Sequence, residues 1–570
     1  MNPFDWIVLL GTMVGIAAYG MWRARGQHNL SDYLRGDHAV GWGTIGLSVM
    51  ATQASAITFL STPRQAYESG MAFVQNYFGL PLALIIVAAF FVPIYRRLRV
   101  FTAYEYLGHR FDGKTRMLGA ALFLLQRGLA SGITIYAPAI VLSTVLGWRQ
   151  DLTIVATGLF VVVYTVTGGN EAVGVTQKWQ MAVIFAGMIA AFAVVLAKLP
   201  SGLGLGGALT VAGGFGKLQA VDFDLSFDKR YTLWSGVLGG VFLSLSYFGT
   251  DQSQVGRYLS GTSLRESRLG LMFNAVCKIP MQFFILLLGA LVFVFYQFEK
   301  PPVFFNQAAW QAHATGETGV RLRALATEFD TASVAKRERI DAWLAARSGG
   351  NPTAATAAKA DMLAAHRRTE TVRAETKKTL AAADPRAKTN DADYVFITFV
   401  LDHMPHGVIG LLIALIFAAA ISSLSAELAA LGTTTSVDFY RHVWRPGAAD
   451  AHYVSAAKWF TTAWGAIAIG FALFANLAEN LIQAINILGS IFYGVVLGIF
   501  LVAFFLKKVG GTAVFWGALA AQALVLALYF SLNIGFLWFN LIGCAACAAL
   551  SLMLQATLGT SGPRVQSKTA

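Results

Sequence analysis

The stretch FAAAISSLSAELAALGTTTSVDFY, residues 417–440, changes from an apolar run into a face of small and hydroxyl side chains. Ala419, Ser422 and Ser423 are spaced three and four residues apart, so in a helix one carbonyl and two hydroxyls lie on one side. Oxygen ligands without a carboxylate suit a weakly bound monovalent cation, because a divalent cation needs more negative ligands. The alternative is that the small residues only let membrane helices pack closely. The stretch alone leaves both interpretations open.

The composition around this stretch indicates a membrane protein. The chain has 570 residues, of which 56% are hydrophobic and 13% are charged, whereas soluble proteins have about 25% charged residues. Residues 301–394 hold 25 of the 73 Lys, Arg, Asp and Glu side chains, so the remainder is nearly free of charge outside short loops. We therefore expect an all-α polytopic protein in the lipid bilayer of the cytoplasmic or plasma membrane.

Thirteen apolar runs are long enough to cross a bilayer as helices, which takes about 20 residues. When the first run and the last two are set aside, ten runs remain, and they divide into two groups of five. Because five is odd, the second group is inverted relative to the first, as in many transporters with interrupted helices. The runs are 5–24, 42–62, 77–97, 117–147, 151–167, 175–199, 232–251, 269–297, 407–430, 454–477, 479–505, 512–531 and 533–556.

Basic residues in the short loops orient these runs. They lie in the loops 95–116, 257–268, 441–458 and 507–508 and in the C-terminal tail. If the N-terminus is outside, all of these segments are cytoplasmic, as the positive-inside rule requires. The net charge of +13 is then explained by the loops, and we expect no nucleic-acid partner.

The same orientation places residues 298–394 outside. This segment is rich in Ala, Glu, Arg and Lys and is interrupted at 349–352 by Gly-Gly-Asn-Pro. The composition favours two helices with charge pairs, and predicts a helical hairpin that stands off the membrane. The alternative is a solvated insertion without chemistry. The predicted parts are an N-terminal extra helix at 1–29, a core at 30–297 and 395–505, the insertion at 298–394, and two C-terminal helices with a cytoplasmic tail at 506–570.

The run 42–62 is unusually polar. Its segment SVMATQASAITFLSTP, residues 48–63, has seven side chains that can form hydrogen bonds. In hydrocarbon such residues must face the bundle interior or a wet cavity. An interruption of the helix here exposes the carbonyls of Ala51 and Ala54, which could complete an oxygen cage with Ala419, Ser422 and Ser423.

At this point the chain resembles the sodium:solute symporter family, which includes sodium/glucose, iodide and monocarboxylate cotransporters. The resemblance runs through most of residues 30–505, and the matching stretches follow each other in the order typical of the family. They are LSDYLRGDHAVGW (30–42), TAYEYLGHRF (102–111), YTVTGGNEAVGVTQKWQ (164–180), SYFGTDQSQVGRYLSGTSLRESR (246–268), AAISSLSAELAALGTTTSVDFY (419–440) and INILGSIFYGVVLGIF (485–500).

The resemblance implies a leucine-transporter-like fold with a five-plus-five inverted-repeat core. It also implies a sodium site whose ligands are the carbonyls of Ala51, Ala54 and Ala419 and the hydroxyls of Ser422 and Ser423. The family's solute-cavity and gate positions fall on Thr58, Tyr77, Ser244, Tyr247, Lys278 and Gln483. Lys278 and Gln483 match the sugar-contact positions of glucose-type members, whereas Thr58, Tyr77 and Ser244 replace glutamine, glutamate and asparagine, which puts a sugar in doubt. Many members have Thr-Asp, linked to a second sodium ion, where this chain has Thr176-Gln177.

Three ionisable residues lie inside predicted spans. Lys278 is near the middle of its run and is a functional candidate, with a structural ion pair as the alternative. Glu427 lies one turn beyond Ser423 and is a candidate partner for Lys278. Arg127 is more easily interpreted as structural.

These observations predict a sodium-coupled symporter that imports a small organic solute, such as a sugar or a monocarboxylate, by alternating access. A proton-coupled or uncoupled transporter on the same fold is the alternative, and a transporter-like sensor is a more distant one. The chain contains neither H-E-x-x-H nor G-x-S-x-G, so we do not expect an enzyme. Sodium is the expected ion, and the sequence leaves the solute and the oligomeric state open.

Overall fold

The described part of the chain is helical. The computed structural model describes residues 1–23, 41–98, 100–384, 389, 391–474 and 481–558, with only the backbone at 17, 20–23 and 168–175. Over these ranges it contains no β-strand. The helices, labelled α1 to α21 in chain order, are Pro3–Arg23, Trp42–Gln53, Ala56–Ser69, Leu80–Ile86, Val92–Leu98, Ala103–Arg110, Gly113–Leu146, Gln150–Lys198, Gly204–Gly214, Gly240–Gly249, Gln252–Leu259, Leu264–Phe298, Gln307–Ala312, Gly316–Ser348, Pro352–Ala383, Val395–His403, Val408–Thr434, Asp450–Phe474, Leu481–Phe505, Gly511–Ser531 and Leu537–Leu558. Short 3-10 segments occur at Met71–Tyr77 and Ala392–Tyr394, and π-helical segments at Val87–Phe91, Ser235–Gly239 and Thr435–Trp444.

Ten helical segments in the described ranges are long and apolar enough to cross a membrane, and the bent pair α2 and α3 makes up to eleven. Two shorter apolar helices, Pro3–Ile16 and Ser235–Gly249, coincide with the first and seventh predicted runs. Every one of the thirteen runs therefore overlaps an apolar helix, although the count of thirteen spans stays a prediction. Residues 30–40 of the quoted stretch 30–42 and residues 559–570 of the tail lie outside the described residues. Residues 475–480, where two predicted runs meet, lie outside them as well.

Helix α8 contains two predicted spans. Its apolar parts are Gln150–Thr167 and Thr176–Lys198. The hydroxyls of Tyr164 and Thr176 are only 3.4 Å apart, although the residues are twelve positions apart in the chain. A straight helix would separate them by about 18 Å along its axis. The chain therefore bends sharply between the two parts, which agrees with the separate predicted runs 151–167 and 175–199.

The first helix of each predicted group of five is interrupted. Helices α2 and α3 meet at an angle of 60° around residues 54 and 55. In the second group, α10 ends at Gly249 and α11 begins at Gln252. Asp251 lies in this second break, where its side chain accepts a hydrogen bond from the Ser253 N–H. The interrupted helices agree with the predicted five-plus-five core.

Helix α12 packs against both halves of the first broken helix. A Cβ atom at Gly289 would lie 2.1 Å from the backbone oxygen of Pro63 in α3. A Cβ atom at Gly46 in α2 would lie 2.6 Å from the Phe273 ring. Because neither position has room for a side chain, α12 can approach α2 and α3 closely and support the bend between them.

The predicted hairpin consists of α14 and α15. Gly350 has a positive φ of 71° in the connection, and Asn351 caps α15 through bonds from the N–H groups of Thr353 and Ala354. The hairpin also packs on the core. Trp343 contacts the position of Gly214 in α9, where no Cβ intervenes, and Arg337 donates to the carbonyl of Phe298 at 3.0 Å. The insertion is thus a hairpin that packs against the ends of α9 and α12, and its prediction as a hairpin standing off the membrane omitted these contacts.

We expect a cysteine at Gly350 to react with an impermeant maleimide in intact cells, because this exposed turn is predicted to lie outside. A matched cysteine at Lys507, exposed in a predicted cytoplasmic loop, should react only after lysis. The partly exposed Cys277 should first be replaced by alanine, whereas Cys544 and Cys547 are buried. Labelling at position 350 only after lysis would contradict the orientation.

Candidate functional site

The break between α2 and α3 leaves the carbonyls of residues 51–54 without their helical donors. The Thr58 N–H bonds to the Ser55 carbonyl at 2.9 Å and not to that of Ala54. In an unbroken helix the Ser55 N–H would bond to the Ala51 carbonyl, and among the described residues no such backbone bond forms. Ala51 and Ala54 are both fully buried. The two carbonyls chosen from the sequence are therefore among the four that the break releases from the helix.

The predicted hydroxyl ligands lie on α17 and are buried. Ser423 donates its hydroxyl proton to the carbonyl of Ala419 at 3.0 Å, with the Ala420 carbonyl at 3.3 Å. This bond leaves the lone pairs of the Ser423 oxygen available to a ligand. The Ser422 hydroxyl accepts a hydrogen bond from the Gln177 amide at 2.9 Å.

The side chain of Gln177 connects α17 with α2. Its amide nitrogen donates both to Ser422 and to the Thr52 hydroxyl, the latter at 3.1 Å. Thr52 follows Ala51 directly in the chain. One side chain thus spans the distance between the two groups of oxygens that the sequence assigned to one site.

A cavity adjoins the break. It has a volume of about 100 Å³ and is partly open to the surroundings. Gln53, Asn76 and Gln126 line it, and their amide oxygens are buried without a hydrogen-bond partner in the described structure. Four of the six residues predicted for the solute cavity and gate line it, namely Thr58, Tyr77, Ser244 and Tyr247.

The other two predicted residues do not line this cavity. The Lys278 ammonium lies behind Tyr77, 5.5 Å from the centre of its ring. It is fully buried, and among the described residues it has neither a hydrogen-bond partner nor a carboxylate within ion-pair distance. Gln483 is next to the lining residue Ile482, and its side-chain oxygen accepts a bond from Arg230 at 3.2 Å.

An ionic network that the sequence did not reveal borders the cavity. Arg127 of α7 pairs with Asp251 at the second helix break and with Glu427 of α17, the latter at 3.2 Å. The Tyr493 hydroxyl of α19 accepts from Arg127 at 2.6 Å and donates to Asp251 at 2.9 Å. The Arg127 guanidinium also lies 5.5 Å from the centre of the Tyr247 ring.

This network corrects the partner suggested for Lys278. Glu427 pairs with Arg127 and also accepts from the Thr134 hydroxyl at 3.2 Å. Glu427 therefore has its cation in Arg127, whose guanidinium can bond to two carboxylates at once, and not in the ammonium of Lys278. The sequence does contain one indication of this network. Asp251 lies at the end of an apolar run, and a carboxylate that is buried there needs a cation beside it.

A profile of the sodium:solute symporter family matches residues 33–317 and 375–521, which is most of the chain. The chain belongs to the sodium:solute symporter family. The unmatched residues between the two parts form most of the α14–α15 hairpin, so the hairpin is an addition to the family's core.

Known members of the family resemble parts of the chain. The chain is 32% identical to the sodium-dependent multivitamin transporter of Oryctolagus cuniculus over 296 residues, which are 51% of this chain and 46% of that protein. It is 33% identical to the human sodium/iodide cotransporter over 297 residues, covering 51% and 45%. It is 34% identical to the human sodium-coupled monocarboxylate transporter 1 over 276 residues, covering 48% and 45%. The alignments span about half the length of these relatives.

A solved sodium-coupled transporter shares the fold of the chain. A substrate-bound, outward-open structure of a Na+-coupled sialic acid symporter covers 99% of this chain and 99% of its own, with a TM-score of 0.74 and 22% identity. At this level of identity the likeness establishes the fold alone. It confirms the predicted transporter architecture, in which the two broken helices belong to the core.

We expect Asp251→Asn to lower the free energy of unfolding by about 3 kcal/mol, because it leaves a buried guanidinium partly uncompensated. The loss should lie near the low end of the effect of breaking a buried pair, since Glu427 still contacts Arg127. The measurement is denaturant unfolding of the purified protein in detergent. Asp151→Asn is the control, because its pair with Arg149 is exposed and contributes little. Equal effects of the two variants would contradict a stabilising role for the network.

Proposed function

We propose that the protein is a sodium-coupled symporter that carries a small organic anion into the cell by alternating access. The observation that carries this proposal is the break between α2 and α3. It releases buried carbonyls, those of Ala51 and Ala54 among them, beside a cavity, and Gln177 connects that region to the hydroxyl face of α17. The names of the related proteins support sodium as the coupling ion.

The proposed sodium ligands are the carbonyls of Ala51, Ala54 and Ala419 and the hydroxyls of Ser422 and Ser423. All five are neutral oxygens, which suits a monovalent ion that must bind and leave in every transport cycle. The Ala419 carbonyl accepts the Ser423 hydroxyl in addition to its backbone bond within α17, so a bound ion would have to take the place of the hydroxyl bond. Membrane potential then contributes about 2.3 kcal/mol per charge for each 100 mV.

Lys278 supports an anionic solute. A lysine inside the membrane costs about 2.5–3.5 kcal/mol on insertion scales. A cation–π contact such as that with Tyr77 returns about 0.5–2 kcal/mol. A solute with a negative charge in the adjacent cavity would offset the remainder. Monocarboxylate and iodide, which appear in the names of two related proteins, are both anions.

Arg127 has a different role in this proposal. Its charge is already compensated by two carboxylates, so it does not need a counter-ion from the solute. Its network joins α7, α17 and α19 to the second helix break, at the end of the cavity bordered by Tyr247. We place the proposed inner gate here. Rocking of the broken helices requires these bonds to separate and to form again.

The proposal is tested by uptake into proteoliposomes, with labelled monocarboxylates, sugars, amino acids and vitamins offered with and without an inward sodium gradient. We expect gradient-driven accumulation of an anion. Ser422→Ala and Ser423→Ala should each remove a contact worth about 1.5–3 kcal/mol and raise the half-saturating sodium concentration roughly ten- to hundredfold.

The matched control is Ser531→Ala, because Ser531 is an exposed serine at the end of α20. Its sodium dependence should equal that of the wild-type protein. Uptake that is independent of sodium but driven by a proton gradient would show that the coupling ion is the proton and not sodium. An unchanged sodium dependence in both Ser422→Ala and Ser423→Ala would contradict the assigned ligands.

Lys278→Ala should reduce uptake of the anion at least tenfold while sodium binding, read from sodium-dependent protection of a reporter cysteine, stays largely intact. Lys278→Arg should restore transport only in part, because a planar guanidinium does not replace a compact ammonium. Normal transport by Lys278→Ala would show that the lysine does not select the solute. The solute contacts would then have to be sought at Thr58, Tyr77 and Gln483.

A further inference from the structure

Gln177 is fully buried on α8 and is surrounded by hydroxyl groups. Its side-chain oxygen accepts the hydroxyl proton of Ser48. Its amide nitrogen donates to Thr52 at 3.1 Å and to Ser422 at 2.9 Å. Both donor hydrogens of the amide are therefore used, one toward α2 and one toward α17.

The hydrogen bonds around the amide have a defined direction. The Thr52 hydroxyl donates its own proton to the Ser48 carbonyl at 2.9 Å, so its oxygen is free to accept from Gln177. The Ser48 hydroxyl donates to Gln177, which orients the amide with its nitrogen toward Thr52 and Ser422. The bond to Ser422 occupies one lone pair of that hydroxyl oxygen and leaves the second one for another partner. The network thus holds the Ser422 oxygen in one position.

We infer that Gln177 is a positioning residue of the proposed sodium site, so this inference rests on the proposed function. Gln177 does not contact the ion. It fixes the Ser422 oxygen and holds α17 at a set distance from the end of α2, where the Ala51 and Ala54 carbonyls lie. Groups that orient the ligands of an ion typically change its affinity by about 10–100-fold when they are removed.

The choice of an amide follows from its donors. A carboxylate at position 177 would lack hydrogens and could not donate to Thr52 and Ser422. A leucine would leave three buried hydroxyls without their partner. Glutamine supplies two donors and one acceptor to three hydroxyls without adding a charge near the proposed ion.

The experiment measures the sodium dissociation constant of the purified full-length protein in detergent, without solute, by isothermal titration with sodium chloride against a potassium background. We expect Gln177→Leu to weaken sodium binding 10–100-fold. Gln177→Asn, which keeps an amide but is one methylene too short to reach both helices, should weaken it in the same direction. If the leucine variant does not fold, the asparagine variant still tests whether Gln177 affects sodium affinity.

Gln180→Leu is the matched control, because Gln180 is a buried glutamine about one helical turn away on α8 and its side-chain oxygen has no hydrogen-bond partner in the described structure. Its sodium affinity should stay within threefold of wild type. The unfolding midpoint of each variant in sodium-free buffer separates loss of the site from loss of the fold.

A double-mutant cycle tests whether Gln177 acts through Ser422. In the Ser422→Ala background, Gln177→Leu should weaken sodium binding by no more than about threefold, because the positioned oxygen is already absent. Full additivity would overturn the inference, and so would unchanged affinity in both Gln177 variants of a wild-type protein that binds sodium. A wild-type protein that binds no sodium would instead overturn the proposed function itself.

Discussion

The broken helix α2–α3 imposes the main physical constraint on this molecule. In a bilayer, a backbone carbonyl without a donor costs free energy unless protein, water or an ion satisfies it. Here the helix stops at Gln53 and resumes at Ala56, at an angle of 60°. The surroundings compensate for this break. Helix α12 approaches both halves through glycine, and α17 presents hydroxyls on the other side.

The same constraint explains the density of buried hydroxyl and amide side chains near the break. Ser48, Thr52 and Gln177 bond to one another and to Ser422, so the polar groups of three helices are satisfied within a small volume. A fully connected network of this kind restricts how the helices can move, because each bond lost in the interior must be replaced. The oxygens that remain unpaired are then available for a ligand.

The buried charges fall into two kinds. Arg127 has two carboxylates and a tyrosine hydroxyl around it and joins four structural elements, which suits a role in holding one conformation. Lys278 has an aromatic ring beside it and no carboxylate in the described structure. An isolated charge is costly in this environment, and residues that bear such a cost commonly serve the transported solute. The hairpin is separate from this chemistry, since it contacts the core through Trp343 and Arg337 at the helix ends.

The sequence by itself determined the helical class, the approximate position of every apolar helix and the hairpin turn at 349–352. These features depend on local composition and on periodicity, which act over a few residues. The polar run 42–62 and the family motifs extended this to the first broken helix, and they predict a set of ion ligands around Ala51 and Ser422. Only the tertiary structure decided which buried polar groups meet. Glu427 pairs with Arg127 rather than with Lys278, Asp251 and Tyr493 join them, and Gln177 links α2 with α17. These contacts connect residues more than a hundred positions apart, and their geometry depends on how the helices pack.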